Sequence, residues 1–226
     1  MQLIQAEVCP YAQRTHMCLL EKELAFEVIE VDLANKPDWF EEVSPYSKVP
    51  VLRDGDLRLY ESTIINEYID EVYPRPALLP SDPGDRAMAR IWIDFDNVKF
   101  VPAFYRVLLA QGKDKRQHIA DQLIGQMEFM ESQGFAETWK GPYWFGEDIS
   151  LLDLAVYPHF ERLGVLEAYR GISLPQSCSR LREWLAAMHE RPSAKATAHD
   201  DAYHKNAYRR YADGTASGTT AKDMRN

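Results

Sequence analysis

The first thirty residues change from strand-like to helix-like spacing of apolar positions and back again. The apolar segment from Leu3 to Ala6 is typical of a short strand, whereas the next apolar positions, Met17 and Leu20, stand at helical spacing. A strand, a helix and a second strand in this order predict a βαβ unit with parallel strands. We predict strands over residues 3–6 and 26–32 and a helix over residues 11–24.

The chain continues with a hairpin and a helix. Asp54-Gly55 is a strong turn signal between two short apolar segments, so these segments should pair as antiparallel strands. Apolar residues at helical spacing follow Glu61-Ser62, and Pro74 ends that pattern. We predict one or two helical turns over residues 35–43, a loop over 44–48, strands over 49–53 and 57–60, and a helix over 61–72.

In the rest of the chain the apolar residues recur at helical spacing. A proline-rich link over residues 74–85 precedes it, and Ser150 with Asp153 has the pattern of a capping box before a buried helix. We predict helices over residues 86–111, with a bend at Pro102, and over 115–133, 179–190 and 195–211. A further helix capped at Ser150 should contain the apolar run over 154–163 and lie deep in the core. Residues 134–147 are an aromatic-rich connection, and residues 214–226 are expected to form a frayed polar tail. The chain therefore divides into an α/β domain over residues 1–78, a linker over 79–85 and an all-helical domain over 86–226.

Net charge, cysteine count and apolar run length limit which classes of function the chain can have. The net charge of −9 argues against a general affinity for nucleic acid or for anionic membranes. Three cysteines among 226 residues form no disulfide framework and suit a reducing cytosol. The first residues show no signal-peptide pattern, and no uncharged apolar run is long enough to span a bilayer. We therefore expect a cytoplasmic protein.

Cys9 stands where the first strand gives way to the first helix. Pro10 follows it at the expected first helical position, where a missing N–H costs nothing. A thiol at a helix N-terminus faces unpaired backbone donors and the positive end of the helix dipole, so we predict a lowered pKa for Cys9. The alternative is that Cys9 is another small apolar residue, as most intracellular cysteines are.

Five motifs in order resemble the glutathione transferase superfamily, in particular its omega-type, cysteine-containing class, and bacterial members of it. They are CPYAQRT, NKPDWF, KVPVL, YESTIINEYIDEVYP and LLPSDP. The resemblance covers nearly the whole chain and implies a thioredoxin-like first domain, βαβ–ββα, that binds glutathione. It also implies an all-α second domain that forms the acceptor pocket. Lys48 stands where the family usually has a hydrophobic residue.

The resemblance implies a role for each of six residues. Cys9 would bond to or contact glutathione sulfur, Val49 would pair its backbone with the cysteinyl part, and a cis peptide would precede Pro50. Glu61 and Ser62 would hold the γ-glutamyl end, and Lys36 would pair with the glycyl carboxylate. The alternatives are that Ser62 only caps a helix and that Lys36 is only a solvated lysine.

The remaining chemistry-bearing residues receive plainer interpretations. Cys18 is interpreted as core and Cys178 as an inert surface or half-buried thiol. The histidines and cysteines lack metal-ligand spacing, so we expect no metal. Aromatic residues facing Cys9 would form the wall of the acceptor pocket. These candidates are Tyr11, Trp92, Phe95, Phe104 and Tyr105.

The resemblance implies an enzyme of glutathione-dependent thiol chemistry: thiol transfer, dehydroascorbate-type reduction or deglutathionylation of a small hydrophobic or disulfide acceptor. The final helical segment also loosely resembles bacterial enzymes that release glutathione from aromatic conjugates. The alternative is a non-catalytic binding protein of the stringent starvation type. The family is usually homodimeric, so we expect a two-fold dimer. Because Ala12 stands where dithiol oxidoreductases carry a second cysteine, we expect a monothiol mechanism.

Overall fold

Residues 1–72 build a four-stranded mixed sheet in the computed structural model, which describes residues 1–225. Its elements are β1 (Gln2–Gln5), α1 (Pro10–Glu21), β2 (Glu27–Glu30), α2 (Phe40–Val43), β3 (Val51–Asp54), β4 (Leu57–Tyr60) and α3 (Ser62–Val72). The strand order is β2-β1-β3-β4; β1 is parallel to β2 and antiparallel to β3, and β3 is antiparallel to β4. The expected βαβ unit, hairpin and mixed sheet are confirmed.

The second region is helical, as expected. Its elements are α4 (Pro83–Phe95), α5 (Val101–Leu109), α6 (Lys113–Phe129), α7 (Ala136–Thr138), α8 (Leu151–Glu161), α9 (Leu163–Arg170), α10 (Ser179–Glu190), α11 (Pro192–Thr197), α12 (Asp201–Ala212) and α13 (Thr219–Asp223). One apolar core joins buried residues of the sheet, such as Leu3 and Leu52, to those of the helices, such as Trp144 and Trp184. Burial of this shared core holds the two regions together.

The predicted bend at Pro102 takes the form of a π-helical turn. Residues Asp96–Phe100 between α4 and α5 are π-helical, and Pro102 follows in the first turn of α5. Proline cannot donate a backbone hydrogen bond to the preceding turn, and a widened turn absorbs that loss. The widened turn begins at the buried carboxylate of Asp96.

The capping box at Ser150 and Asp153 is confirmed at the start of α8. Asp153 Oδ2 accepts from the Ser150 N–H at 2.8 Å, and the Ser150 hydroxyl accepts from the Asp153 N–H at 3.4 Å. Asp153 Oδ1 also accepts from the indole N–H of Trp184 at 2.7 Å and from the Trp144 N–H at 3.0 Å. The helix begins directly after Ser150, as the capping box predicts, and it ends at Glu161, inside the apolar run over 154–163, because Arg162 leaves helical geometry before α9 begins.

Two predictions for the C-terminal part are wrong. The predicted single helix over 195–211 is α11 and α12, because the chain is extended at Ala198 and Asp200 then caps α12 by accepting from the Tyr203 N–H. The predicted frayed tail is folded over its described residues 214–225 and contains α13. Its physical reason is burial, since Ala221 is 0% exposed in a small apolar cluster.

Arg14 of α1 connects the two regions through a buried network. Its guanidinium pairs with the Asp96 carboxylate, donates to Asn97 Oδ1 at 2.8 Å and donates to the Ala155 carbonyl at 2.6 Å. Because Arg14 is 1% exposed, these bonds to the π-helical turn and to α8 are shielded from water. They fix α1, and with it the residue at its N-terminus, against the helical region.

Candidate functional site

Cys9 is the N-cap of α1, and the sequence predicts this position correctly. Its backbone is extended, with φ −85° and ψ 115°, and its carbonyl accepts from the Gln13 N–H at 3.0 Å. Pro10 is the first helical residue. Cys9 is partly exposed, whereas Cys18 and Cys178 are each 0% exposed. Cys9 is therefore the one of the three cysteines with exposed surface, and the expectation of a surface or half-buried Cys178 is wrong because Cys178 packs into the core.

The Cys9 thiol lies against the main chain of the loop before β3. Its Sγ is 3.7 Å from the Val49 carbonyl oxygen, to which the S–H donates. Burial raises the pKa of the Cys9 thiol, while the N–H groups of Ala12 and Tyr11 and the Arg162 charge act in the opposite direction. The predicted lowered pKa is thus wrong for the free protein. The helix supplies the expected donors, but loss of water around the sulfur outweighs them.

The end of β1, the start of β3 and the end of β4 lie at the same end of the sheet, and the residues just beyond them meet there. Val51 pairs with Tyr60, and this antiparallel register places Val49-Pro50 across from Glu61-Ser62. The Val49–Pro50 peptide is cis, as the resemblance implies. Cys9 follows β1, the neighbour of β3, and so reaches the same end.

Glu61 has a backbone conformation that non-glycine residues seldom adopt. Its φ of 71° lies in the left-handed region, and such residues cluster at functional sites because the surrounding structure must hold them. Glu61, not Ser62, is the N-cap of α3, and its side chain makes no capping bond. Ser62 is the first helical residue and is buried, so helix capping does not explain it.

Lys36 is held beside the loop that leads to Val49. Its ammonium donates to the carbonyl and to the hydroxyl of Ser47, both at 2.8 Å, and lies 5.7 Å from the Phe40 ring centre. These contacts contradict the interpretation of Lys36 as a freely solvated lysine. These hydrogen bonds hold the Lys36 ammonium next to Ser47, which is two residues before Val49 in the chain.

The aromatic residues near Cys9 differ in part from those predicted for the pocket wall. Tyr11 packs edge-on against His159 at 5.5 Å, and the Tyr105 hydroxyl lies 3.2 Å from that of Tyr208. Tyr211 packs against Tyr105 at 5.3 Å between ring centres. Burial raises the pKa of Tyr11, Tyr208 and Tyr211, and the nearby Cys9 sulfur adds to each shift.

Three predicted wall residues pack elsewhere. Trp92 lies 5.7 Å from Trp144 and 5.6 Å from Phe129 between ring centres, and Phe95 lies 5.4 Å from Phe129. Both therefore face α6 and the core behind α4, because the apolar stripe of α4 packs inward. Phe104 is 0% exposed and packs behind Tyr105, so it is core. Tyr11 and Tyr105 remain candidates for the wall.

Sequence reasoning missed Arg162 and the tyrosines of α12. Arg162 is 1% exposed; it donates to Gln13 Oε1 and to the Pro158 carbonyl at 2.6 Å, and reaches the Val8 carbonyl at 3.5 Å. Its charge stands beside Cys9 and favours the thiolate. The available signals were an arginine inside the apolar run over 154–163 and the three-residue spacing of Tyr208 and Tyr211 on one helix face.

Two kinds of feature are absent from residues 1–225. No cluster of three or more His, Cys, Asp or Glu side chains among them has the placement of a metal site. None of their helices combines the length and apolar character required to cross a membrane.

Family models match both regions of the chain. Residues 3–77 match the glutathione S-transferase N-terminal domain, and residues 110–187 match the glutathione S-transferase C-terminal domain.

Individual proteins give the same result. The chain is 34% identical over 189 residues to glutathione S-transferase omega-1 of Sus scrofa, covering 83% of this chain and 76% of that one. The crystal structure of glutathione transferase Omega 3C from Trametes versicolor is 30% identical, with a TM-score of 0.83 and coverage of 93% and 89%. Chlamydomonas reinhardtii dehydroascorbate reductase is 20% identical with a TM-score of 0.75, covering 93% and 97%, and shares the fold.

Proposed function

The chain belongs to the glutathione transferase superfamily, as an omega-type enzyme, and from that premise we propose that Cys9 transfers thiols between glutathione and an acceptor. The observation that carries the proposal is the partly exposed Cys9 at the N-terminus of α1, with its Sγ 3.7 Å from the Val49 carbonyl. A nucleophilic sulfur there would sit beside the backbone that receives glutathione.

The proposed reaction is a pair of thiol–disulfide exchanges. The Cys9 thiol loses its proton to solvent, and its thiolate attacks the glutathione sulfur of a mixed disulfide. The acceptor leaves as a thiolate and takes up a proton, while glutathione stays bonded to Cys9. A second glutathione thiolate then attacks this disulfide, which releases oxidised glutathione and restores Cys9. Dehydroascorbate reduction and deglutathionylation of a thioether would use the same Cys9–glutathione intermediate.

The proposed glutathione site uses the edge of the sheet. Val49, next to the cis bond to Pro50, would pair with the cysteinyl backbone as an added strand does. Glu61 would meet the γ-glutamyl ammonium, and Ser62 with the first N–H groups of α3 would receive the carboxylate. Lys36 would pair with the glycyl carboxylate. Glutathione is thus the proposed co-substrate, with Tyr11, Tyr105, Tyr208 and Tyr211 around the acceptor.

The test compares the parent protein with Cys9→Ser. We expect the parent to bind a glutathione column and to reduce a glutathione mixed disulfide. Cys9→Ser should bind the column but lose the reduction by at least about a hundredfold, because a hydroxyl cannot form a disulfide. Cys178→Ser is the matched control and should keep the activity. Equal reduction by Cys9→Ser would exclude Cys9 as the nucleophile.

We also propose a two-fold homodimer in which the first domain of one subunit meets the helical domain of the other. Large apolar side chains that are exposed on neighbouring helices support such an interface. They are Ile64 on α3, Ile91 on α4 and Phe129 on α6, which are 59%, 55% and 46% exposed. Light scattering should give twice the 26.1 kDa chain mass. Ile91→Glu should lower that mass toward the monomer, and Val28→Glu, at the opposite edge strand, should leave it unchanged. A parent that scatters as a monomer at micromolar concentration would exclude the dimer.

A further inference from the structure

The tail after α12 returns across the helical region instead of leaving it. Gly214 turns the chain with a φ of 72°, and the N–H groups of Thr215 and Ala216 both donate to the Arg210 carbonyl at 2.8 Å. Ala216 and Ala221 are buried together with Leu109 at the end of α5. This anchor is small, because two of its three buried members are alanines.

The end of the tail reaches the first domain. Asp223 Oδ2 lies 2.7 Å from the ammonium of Lys48, the residue that departs from the family pattern. Lys48 directly precedes Val49, whose carbonyl contacts Cys9. Burial lowers the pKa of Lys36, and the positive charge of Lys222 in the tail acts in the same direction. The tail therefore spans from the helical region to the loop that bears the proposed glutathione contacts.

The tail also lies against the tyrosines near Cys9. Tyr211 packs on this tail cluster and on Tyr105 and Tyr208. Burial raises the pKa of Tyr211, and the Thr220 hydroxyl and the Arg225 charge, both from the tail, oppose that shift. One short segment thus contacts both Lys48, which precedes Val49, and Tyr211, which packs on Tyr105.

We propose that residues 215–225 are a strap across the mouth of the Cys9 cleft, clamped by the Lys48–Asp223 ion pair, and that this strap selects acceptors by size. Small reagents reach Cys9 with the strap closed, whereas bulky ones need it released. The acceptor-selecting role rests on the proposed function, but closure itself does not.

The contacts are suited to a strap that opens. The side chains of Lys48 and Asp223 are 46% and 48% exposed, so water screens their attraction. An exposed pair of this kind changes an equilibrium by only about two- to fivefold, and salt weakens it further. The closed state is therefore favoured but can be left without unfolding the helical region.

The test measures access to Cys9 with two alkylating reagents, iodoacetamide and a polyethylene glycol maleimide. Native labelling reports Cys9, because Cys18 and Cys178 are 0% exposed. The ratio of the bulky rate to the small rate cancels any change in thiolate fraction. We expect Asp223→Lys to raise this ratio by about threefold or more, and the charge swap Lys48→Asp with Asp223→Lys to restore it. The ratio of the parent should also rise with added salt.

A matched control uses another exposed ion pair. Lys140→Glu breaks the pair with Asp85 between the loop after α7 and the start of α4, and should leave the ratio unchanged. Ala221→Glu places a charge in the buried anchor and should raise the ratio without touching the clamp. An unchanged ratio in Asp223→Lys, or a swap that stays at the Asp223→Lys value, would overturn the clamp. The labelling experiment needs no glutathione, so it tests the strap independently of the proposed function. A protein that fails to bind glutathione would refute the proposed function, whereas the strap would still be decided by the labelling ratio.

Discussion

The Cys9 sulfur lies 3.7 Å from the carbonyl oxygen of Val49 and donates its S–H to it. This bond exists only while the thiol is protonated, and burial also disfavours the thiolate. The same carbonyl is the proposed partner of the glutathione backbone. In the free protein the Cys9 thiol therefore donates to the group that would receive the co-substrate.

The first prediction concerns the pH dependence of Cys9. A raised pKa means less thiolate at neutral pH, so the rate of iodoacetamide alkylation should reach half its maximum above the ordinary thiol value of about 8.5. The same protein in denaturant should show the ordinary value, and Cys9→Ser should remove the native reaction. A midpoint at or below the ordinary value in the native protein would show that the helix N-terminus and Arg162 outweigh burial.

The second prediction concerns the cap of α8. Asp153 is 0% exposed and accepts from two buried tryptophan groups as well as from Ser150. Asp153→Ala leaves these donors unpaired, so we expect the free energy of unfolding to fall by about 3 kcal/mol. The control is Asp82→Ala at the exposed N-cap of α4, where about 1 kcal/mol is expected. Equal losses in urea titrations of the two variants would contradict the buried network.

Local sequence signals predicted the elements that follow simple rules. The βαβ unit, the hairpin at Asp54-Gly55 and the cap at Ser150 depend on spacing or on turn chemistry within a few residues. The grouping of Cys9, Val49 and Glu61 at one end of the sheet came from the family resemblance instead. Strand order decides which loops meet there, and local signals do not reveal strand order.

What sequence did not predict depends on contacts between distant residues. The tail is folded because Ala221 packs against Leu109, more than a hundred residues earlier in the chain. A single alanine in a polar segment produces no periodic apolar pattern that would predict this contact. Trp92 and Phe95 have the right side chains for a pocket wall, but the direction of the α4 stripe is set by Trp144 and Phe129. The pKa of Cys9 depends on how much water packing removes, which a helix boundary does not reveal.

The third prediction concerns His159, which is 0% exposed beside Arg14 and Asp96. Burial lowers the pKa of His159 to about 4. Below an unfolded pKa of about 6.5 the unfolded chain binds the proton and the folded chain does not, so stability falls as pH decreases toward 4. One such group changes the free energy of unfolding by about 1.4 kcal/mol per pH unit.

Urea titrations at several pH values between 6.5 and 4.5 test this dependence. His159→Gln should show a smaller loss of stability over this interval than the parent, because the variant has no imidazole to protonate. His118→Gln, on the exposed face of α6, should keep the slope of the parent. A parent and a His159→Gln variant with the same slope would show that other groups account for the acid sensitivity.

The last prediction is a monothiol mechanism. Cys18 stands nine residues after Cys9, about 13 Å along α1 at 1.5 Å per residue, and is 0% exposed. A disulfide needs Cα atoms within about 7 Å, so these two cysteines cannot bridge while α1 is intact. Cys178 lies at the start of α10 in the helical region and is also 0% exposed. We therefore expect glutathione to resolve any mixed disulfide that Cys9 forms. Oxidised glutathione should add one glutathione to each chain by intact-mass analysis, mapped to Cys9 and unchanged in Cys178→Ser. An internal Cys9–Cys178 disulfide as the main product, recognised by the loss of two hydrogens with no added glutathione, would refute the monothiol mechanism.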